Sequence, residues 1–186
     1  MVDELLHVAK LILLQMADDG RLVSTDRFPN RAGLLALGIR EAVAPPPGVD
    51  AVLLVRGDVA SDGSPAWGGP LLEGLSCTVL VSDRAGDTMA YADAVVAIAS
   101  HFEARGAFVN RKGRLQVAQA SVASPPKAVA GWQALAWMLE ALGGEQVADA
   151  DQVFARACEA AGLGSGRSVQ AVGPHGTAAA DWNAAR

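Results

Sequence analysis

Ala92-Asp93-Ala94-Val95-Val96-Ala97-Ile98-Ala99 runs directly into Ser100-His101-Phe102-Glu103-Ala104-Arg105-Gly106-Ala107-Phe108-Val109-Asn110-Arg111-Lys112-Gly113-Arg114-Leu115-Gln116, and this junction decides the fold. Its first half holds a short uninterrupted apolar run, Ala94 to Ile98. Its second half breaks into Ala107-Phe108-Val109 and Arg114-Leu115-Gln116-Val117 around Asn110-Arg111-Lys112-Gly113, where Asn and Gly accept turn conformations that other residues resist. A buried strand feeding a polar hairpin is the reading that satisfies both halves.

The apolar run has two companions upstream, Ala51-Val52-Leu53-Leu54-Val55 and Thr78-Val79-Leu80-Val81. Short continuous apolar segments are what strands buried on both faces require, and such strands belong to helix-covered parallel sheets. Ser82 to Asp93 leaves room for one short crossover helix. The Gly/Pro-rich stretch around Trp67 and Pro70, leading into Leu71-Leu72-Glu73-Gly74-Leu75, makes the other connection. Right-handed crossovers are expected. With Arg21 to Thr25 read as a further short strand, the expectation is an α/β fold: a doubly wound, mainly parallel sheet of about four strands with helices on both faces, then a β-hairpin and C-terminal helices.

Around this sheet, Asp3 to Ala17 places Leu5, Val8, Ala9, Ile12, Leu13 and Met16 at helical spacing, and Gly20 follows where a helix would stop. Asp26 to Asn30 reads as a polar loop and Arg31 to Ile39 as a Leu-rich helix. Ala44-Pro45-Pro46-Pro47-Gly48 lacks amide donors and must be a surface connection. Ala128 to Leu142 spaces Trp132, Leu135, Ala136, Leu139 and Leu142 along one helical face and also carries Trp137. Asp149 to Ala161 is the next helix. Residues 1–161 are therefore expected to form a single α/β domain, and the Gly/Ala-rich residues 162–186 a flexible tail.

Composition narrows the function classes. The 186 residues carry 15 Lys and Arg against 20 Asp and Glu, a net charge of −5 and the wrong sign for a general nucleic-acid binder. The one basic cluster, Arg105, Arg111, Lys112 and Arg114, reads as a solvated hairpin tip. The apolar run Leu11-Ile12-Leu13-Leu14, like every other in the chain, falls far short of the about 20 residues that cross a bilayer. Asp3 and Glu4 precede it where a secretory signal would be basic, so the cytoplasm is the expected compartment. Cys77 and Cys158 lie far apart without C-x-x-C spacing, and neither a zinc site nor an iron-sulfur cluster is expected from them. His7, His101 and His175 have no G-x-S-x-G or similar nucleophile context.

The junction quoted first resembles the A-D-V-V-L-P-A … E-x-x-G-T-F-x-N-x-E-G-R-x-Q signature of the molybdopterin oxidoreductase superfamily, and within it the large iron-sulfur (G) subunits of NADH-quinone oxidoreductases. Glu103, Asn110, Arg114 and Gln116 fall on family positions. Ile98-Ala99-Ser100 replaces L-P-A, Ala107 replaces Thr, and Lys112 replaces the Glu of N-x-E-G-R, an exchange of acid for base. The resemblance covers Arg21 to Leu142 and implies the late, nucleotide-side α/β portion of such a subunit. The family's cysteine clusters and metal-ligand loop have no counterpart in these residues, so no complete redox centre and no resident cofactor are expected.

Ligands of open parallel sheets bind beyond the carboxyl ends of the strands. The loop Asp26-Arg27-Phe28-Pro29-Asn30-Arg31-Ala32-Gly33 is placed there and is similar to the family's N-x-x-G turn, which implies nucleotide-side contacts from Asn30 and Gly33. Asn30 equally fits a helix N-cap. Asp83 to Thr88 is similar to the family's D-x-x-x-x-E-T segment, one residue shorter, which implies contacts from Asp83 and Thr88. Either residue alternatively caps a helix. With Asn110 and Arg114 of the hairpin, these complete the candidate cofactor-binding set; no catalytic residue is expected. Gly162-Leu163-Gly164-Ser165-Gly166 follows a helix instead of opening one, which is wrong for a dinucleotide fingerprint.

Two functions follow as expectations. The first is a non-catalytic structural piece of a G-type subunit, scaffolding an electron-transfer complex through other respiratory or redox subunits, peripheral to the inner membrane through them and able to self-associate when isolated. The second is a free-standing module that binds a guanine nucleotide or molybdopterin guanine dinucleotide at the strand ends.

Overall fold

The computed structural model describes residues 30–40, 42, 44–61, 66–110, 112–162 and 168–178. The expected helix over Asp3 to Ala17, the expected strand over Arg21 to Thr25 and the Gly164-Ser165-Gly166 stretch lie outside the described residues. The chain divides into two compact units. Among the described residues, one holds 39–100 and 124–134, the other 30–38, 101–123 and 135–178.

In the first unit, β1 (Ala51–Val55), β2 (Cys77–Ser82) and β3 (Ala94–Ala97) form a sheet in the order β1-β2-β3, with both pairs parallel. A five-residue helix, α2 (Gly69–Glu73), with Pro near its start, lies in the connection from β1 to β2. A 3-10 turn, Asp87–Tyr91, lies in the connection from β2 to β3. Register pairs Val52 with Thr78 and Leu54 with Leu80, so these four side chains share one face. They are buried there with Val59, Trp67 and Leu72, Trp67 being 1% exposed.

The opposite face corrects the expectation of strands buried on both sides. Val81 is fully buried, but Leu53, Val79 and Val96 are half-buried and Val55 is 42% exposed. On β3, Ala94 is exposed on this face, and Val95 and Ala97, which register places on the face of Leu80, are exposed as well. An all-apolar run reports that a segment can be buried twice over; whether an element covers each face is settled elsewhere in the chain.

In the second unit, α1 (Arg31–Ala36) is three residues shorter than the pattern to Ile39 suggested. The Leu37 amide closes onto the Gly33 and Leu34 carbonyls, and Gly38 takes φ +77°, a left-handed conformation that ends a helix. β4 (Gly106–Val109) and β5 (Arg114–Ala118) form the expected antiparallel hairpin. With β6 (Thr177–Ala178) it makes its own three-stranded sheet, in the order β4-β5-β6, and is not part of a doubly wound parallel one. Among the described residues the fold is thus mixed α/β, with one parallel and one antiparallel sheet.

Two helices follow the hairpin in sequence, α3 (Gly131–Ala141) and α4 (Ala150–Ala160), each slightly inside its expected limits. On α3, Trp137 is 51% exposed. Asp149 caps α4 by accepting from the Gln152 amide at 2.8 Å, while Gln152 Oε1 accepts from the Ala148 amide at 2.7 Å, a reciprocal arrangement close to a capping box.

Part of the expected flexible tail is packed. After a 3-10 turn at Val169–Val172, β6 (Thr177–Ala178) pairs antiparallel with β5, Leu115 opposite Thr177. Val172 is buried with Leu115, Phe154 and Cys158. The stretch has few large apolar residues, so its composition reads as a tail; Val172, the edge of β5 and the Arg114 bonds to the His175 and Gly176 carbonyls hold it.

Candidate functional site

The carboxyl ends of β1 and β2 carry the densest polar network among the described residues. Val55 leads into Arg56-Gly57-Asp58, and Ser82 into Asp83-Arg84-Ala85-Gly86-Asp87. Parallel pairing brings these loops side by side, as strand-end geometry requires.

Arg56 is the one non-glycine residue among the described ones with positive φ, at +57°. Its amide donates to the Val81 carbonyl at 2.9 Å, which extends the β1–β2 ladder by one step. The turn sends its guanidinium across the strand ends. Nη1 donates to Asp83 Oδ2 at 2.7 Å and Nη2 to the Ala99 carbonyl at 2.6 Å, just beyond β3. One side chain therefore ties the exits of three strands. Arg84 Nε stands 3.9 Å from the other Asp83 oxygen, and the Asp83 side chain is 12% exposed.

Asp58 is the second hub. Its Oδ1 accepts from the Thr88 amide at 2.9 Å and the Thr88 hydroxyl at 2.7 Å; its Oδ2 accepts from the Ser61 hydroxyl at 2.7 Å and the Asp87 amide at 3.3 Å. Thr88 Oγ1 in turn accepts from the Ala60 amide at 3.0 Å. Partial burial alone would raise the Asp58 pKa. The bonds from the Thr88 and Ser61 hydroxyls and from the Thr88 and Asp87 amides outweigh it, lowering the value from 3.8 to about 2. A carboxylate from the neighbouring loop thus occupies the free amides that open the 3-10 turn.

Gly86 permits this approach, since a Cβ there would lie within 2.6 Å of Asp58 Cγ. The cavity left between the loops is about 10 Å³, lined by Arg56, Asp58, Ser82, Arg84 and Gly86 among others. That is about the space of one water.

Of the residues singled out from sequence, Asp83 and Thr88 lie in this network. Asp83 is bound to Arg56. Thr88 is 1% exposed and its hydroxyl is shared between Asp58 and Ala60. Neither one caps the 3-10 turn with its own side chain, because Asp58 does so.

Asn30, Gly33, Asn110 and Arg114 belong to the other unit. Asn30 sits at the N-cap position of α1, but its side chain makes no capping bond. Its Oδ1 accepts instead from the Val109 amide in β4 at 2.8 Å. Gly33 makes the space for this, since a Cβ would lie 3.1 Å from Asn30 Cγ and 3.2 Å from Val109 Cγ2.

Asn110 Oδ1 accepts from the amides of Lys112 at 3.0 Å and Arg114 at 2.9 Å, and its Nδ2 donates to Gln116 Oε1 at 3.2 Å, so the side chain holds the hairpin turn together. Arg114 Nη1 donates to the Gly176 carbonyl at 2.9 Å and the His175 carbonyl at 3.2 Å.

Arg56 and Asp58 escaped the sequence reading. Their signal was position: they are the first charged residues after an apolar strand, at the end where ligands and strand-end ties are built. Among the described residues no group of three or more His, Cys, Asp or Glu could hold a metal ion, no helix is long and apolar enough to cross a membrane, and neither cysteine forms a disulfide. No protein-family model matches the chain, and no curated protein matches it either.

Proposed function

We propose that this chain is a non-catalytic structural module similar to the nucleotide-side portion of G-type, molybdopterin oxidoreductase-like subunits of NADH-quinone oxidoreductases, acting as a scaffold in an electron-transfer complex. The observation that carries this reading is the use of the two strand-end hubs within the fold. Asp58 occupies the amides that open the 3-10 turn and Arg56 is bound to Asp83 and the Ala99 carbonyl, so these two side chains hold the fold.

In this proposal the three-stranded sheet is the remnant of a larger doubly wound one, the chain works in the cytoplasm, and sibling redox subunits attach it to the inner membrane. Half-covered apolar residues such as Val55 and Val95 in one unit and Trp137 in the other are the surfaces those subunits would cover. Light scattering and co-purification with candidate redox subunits test the reading. A stable stoichiometric complex is the expected result; a clean monomer that never co-purifies with them overturns it.

One observation favours the alternative, a module binding a guanine nucleotide or molybdopterin guanine dinucleotide: the network lies beyond the carboxyl ends of parallel strands and includes Arg56 and Arg84. That reading requires a thermal shift with millimolar nucleotide, larger in Asp58→Ala than in the parent chain because the amides are then vacant. No shift in either protein removes it and leaves the scaffold reading standing.

A further inference from the structure

We draw no further inference here: the strongest candidate, the partly uncovered apolar face of the parallel sheet formed by Leu53, Val55, Val79 and Val96, carries nothing, because nothing in the structure shows what covers it.

Discussion

The parallel-sheet unit and the antiparallel-sheet unit are held together by different means. In the first, a core of strand residues closes around Trp67, the largest polar network lies in the loops that follow β1 and β2, and smaller ties, Ser76 to Asp50 and the Thr78 amide to Asp93, lie where the strands begin. In the second, the buried cluster is Leu115, Phe154, Cys158 and Val172, and polar side chains tie remote backbone segments to it. Asn30 reaches β4, Asn110 staples the hairpin and Arg114 holds the segment leading into β6. A sheet with a buried core on one face carries its hydrogen-bonded side chains at the ends of its strands. A small sheet with four buried side chains depends on them along its whole length.

The contrast is most exposed to failure at the two cores. Trp67→Ala should lower stability to urea by about 3–5 kcal/mol, the usual range for removing a buried aromatic side chain. Phe154→Ala should cost less, near the lower end of that range, because its surroundings offer fewer large neighbours. If Phe154→Ala proves the costlier change, the dominant core has been assigned to the wrong unit.

The strand-end hub is next in size. Asp58→Ala should cost about 1–2 kcal/mol, as loss of a charged acceptor for helix-start amides does. It also carries a pH signature. Because the folded-state pKa is lowered from 3.8 to about 2, the charged form is favoured in the folded chain. Its stabilisation is complete above the unfolded value near 3.8 and is lost as pH falls through about 2. Unfolding curves between pH 5 and pH 2 should therefore converge for the parent chain and Asp58→Ala; parallel curves would show that the carboxylate is not the source.

Smaller effects sharpen the other side. Asn30→Ala should cost about 1 kcal/mol and speed hydrogen exchange at the Val109 amide. Gly33→Ala should expose the same amide by displacing the Asn30 side chain, so the double variant should be barely worse than either single one. The smallest change is expected from Arg114→Ala, under about 1 kcal/mol because the bonds are partly solvated, with faster exchange confined to residues at and around β6. Unchanged exchange there would mean that the strand pairing alone holds the segment.

Much of this architecture could be read locally. The three apolar runs became the three parallel strands, the Ser82 to Asp93 gap did carry one short helical turn, and Asn110-Arg111-Lys112-Gly113 did turn the hairpin. Each rests on patterns within a few residues, where chain geometry and turn chemistry act. What lay hidden were pairings between distant residues. The Asn30 carbonyl oxygen could equally have capped α1, and the amide it meets is 79 residues away. Asp58 and Thr88, 30 residues apart, carried no shared pattern. Glycines near the end of the chain suggested freedom, whereas the edge of β5 and the carbonyls facing Arg114 hold part of that stretch in place.

By itself the amino-acid order determined the segments of β1 to β5, the hairpin turn and the acidic balance, because backbone sterics, periodicity and charge are properties of neighbouring residues. Tertiary structure alone decided which sheet the hairpin joined, which strand faces were covered, and that the strand-end amides would be filled by Asp58. Those outcomes depend on loop closure over many residues, whose entropic cost is offset only when several distant contacts form together.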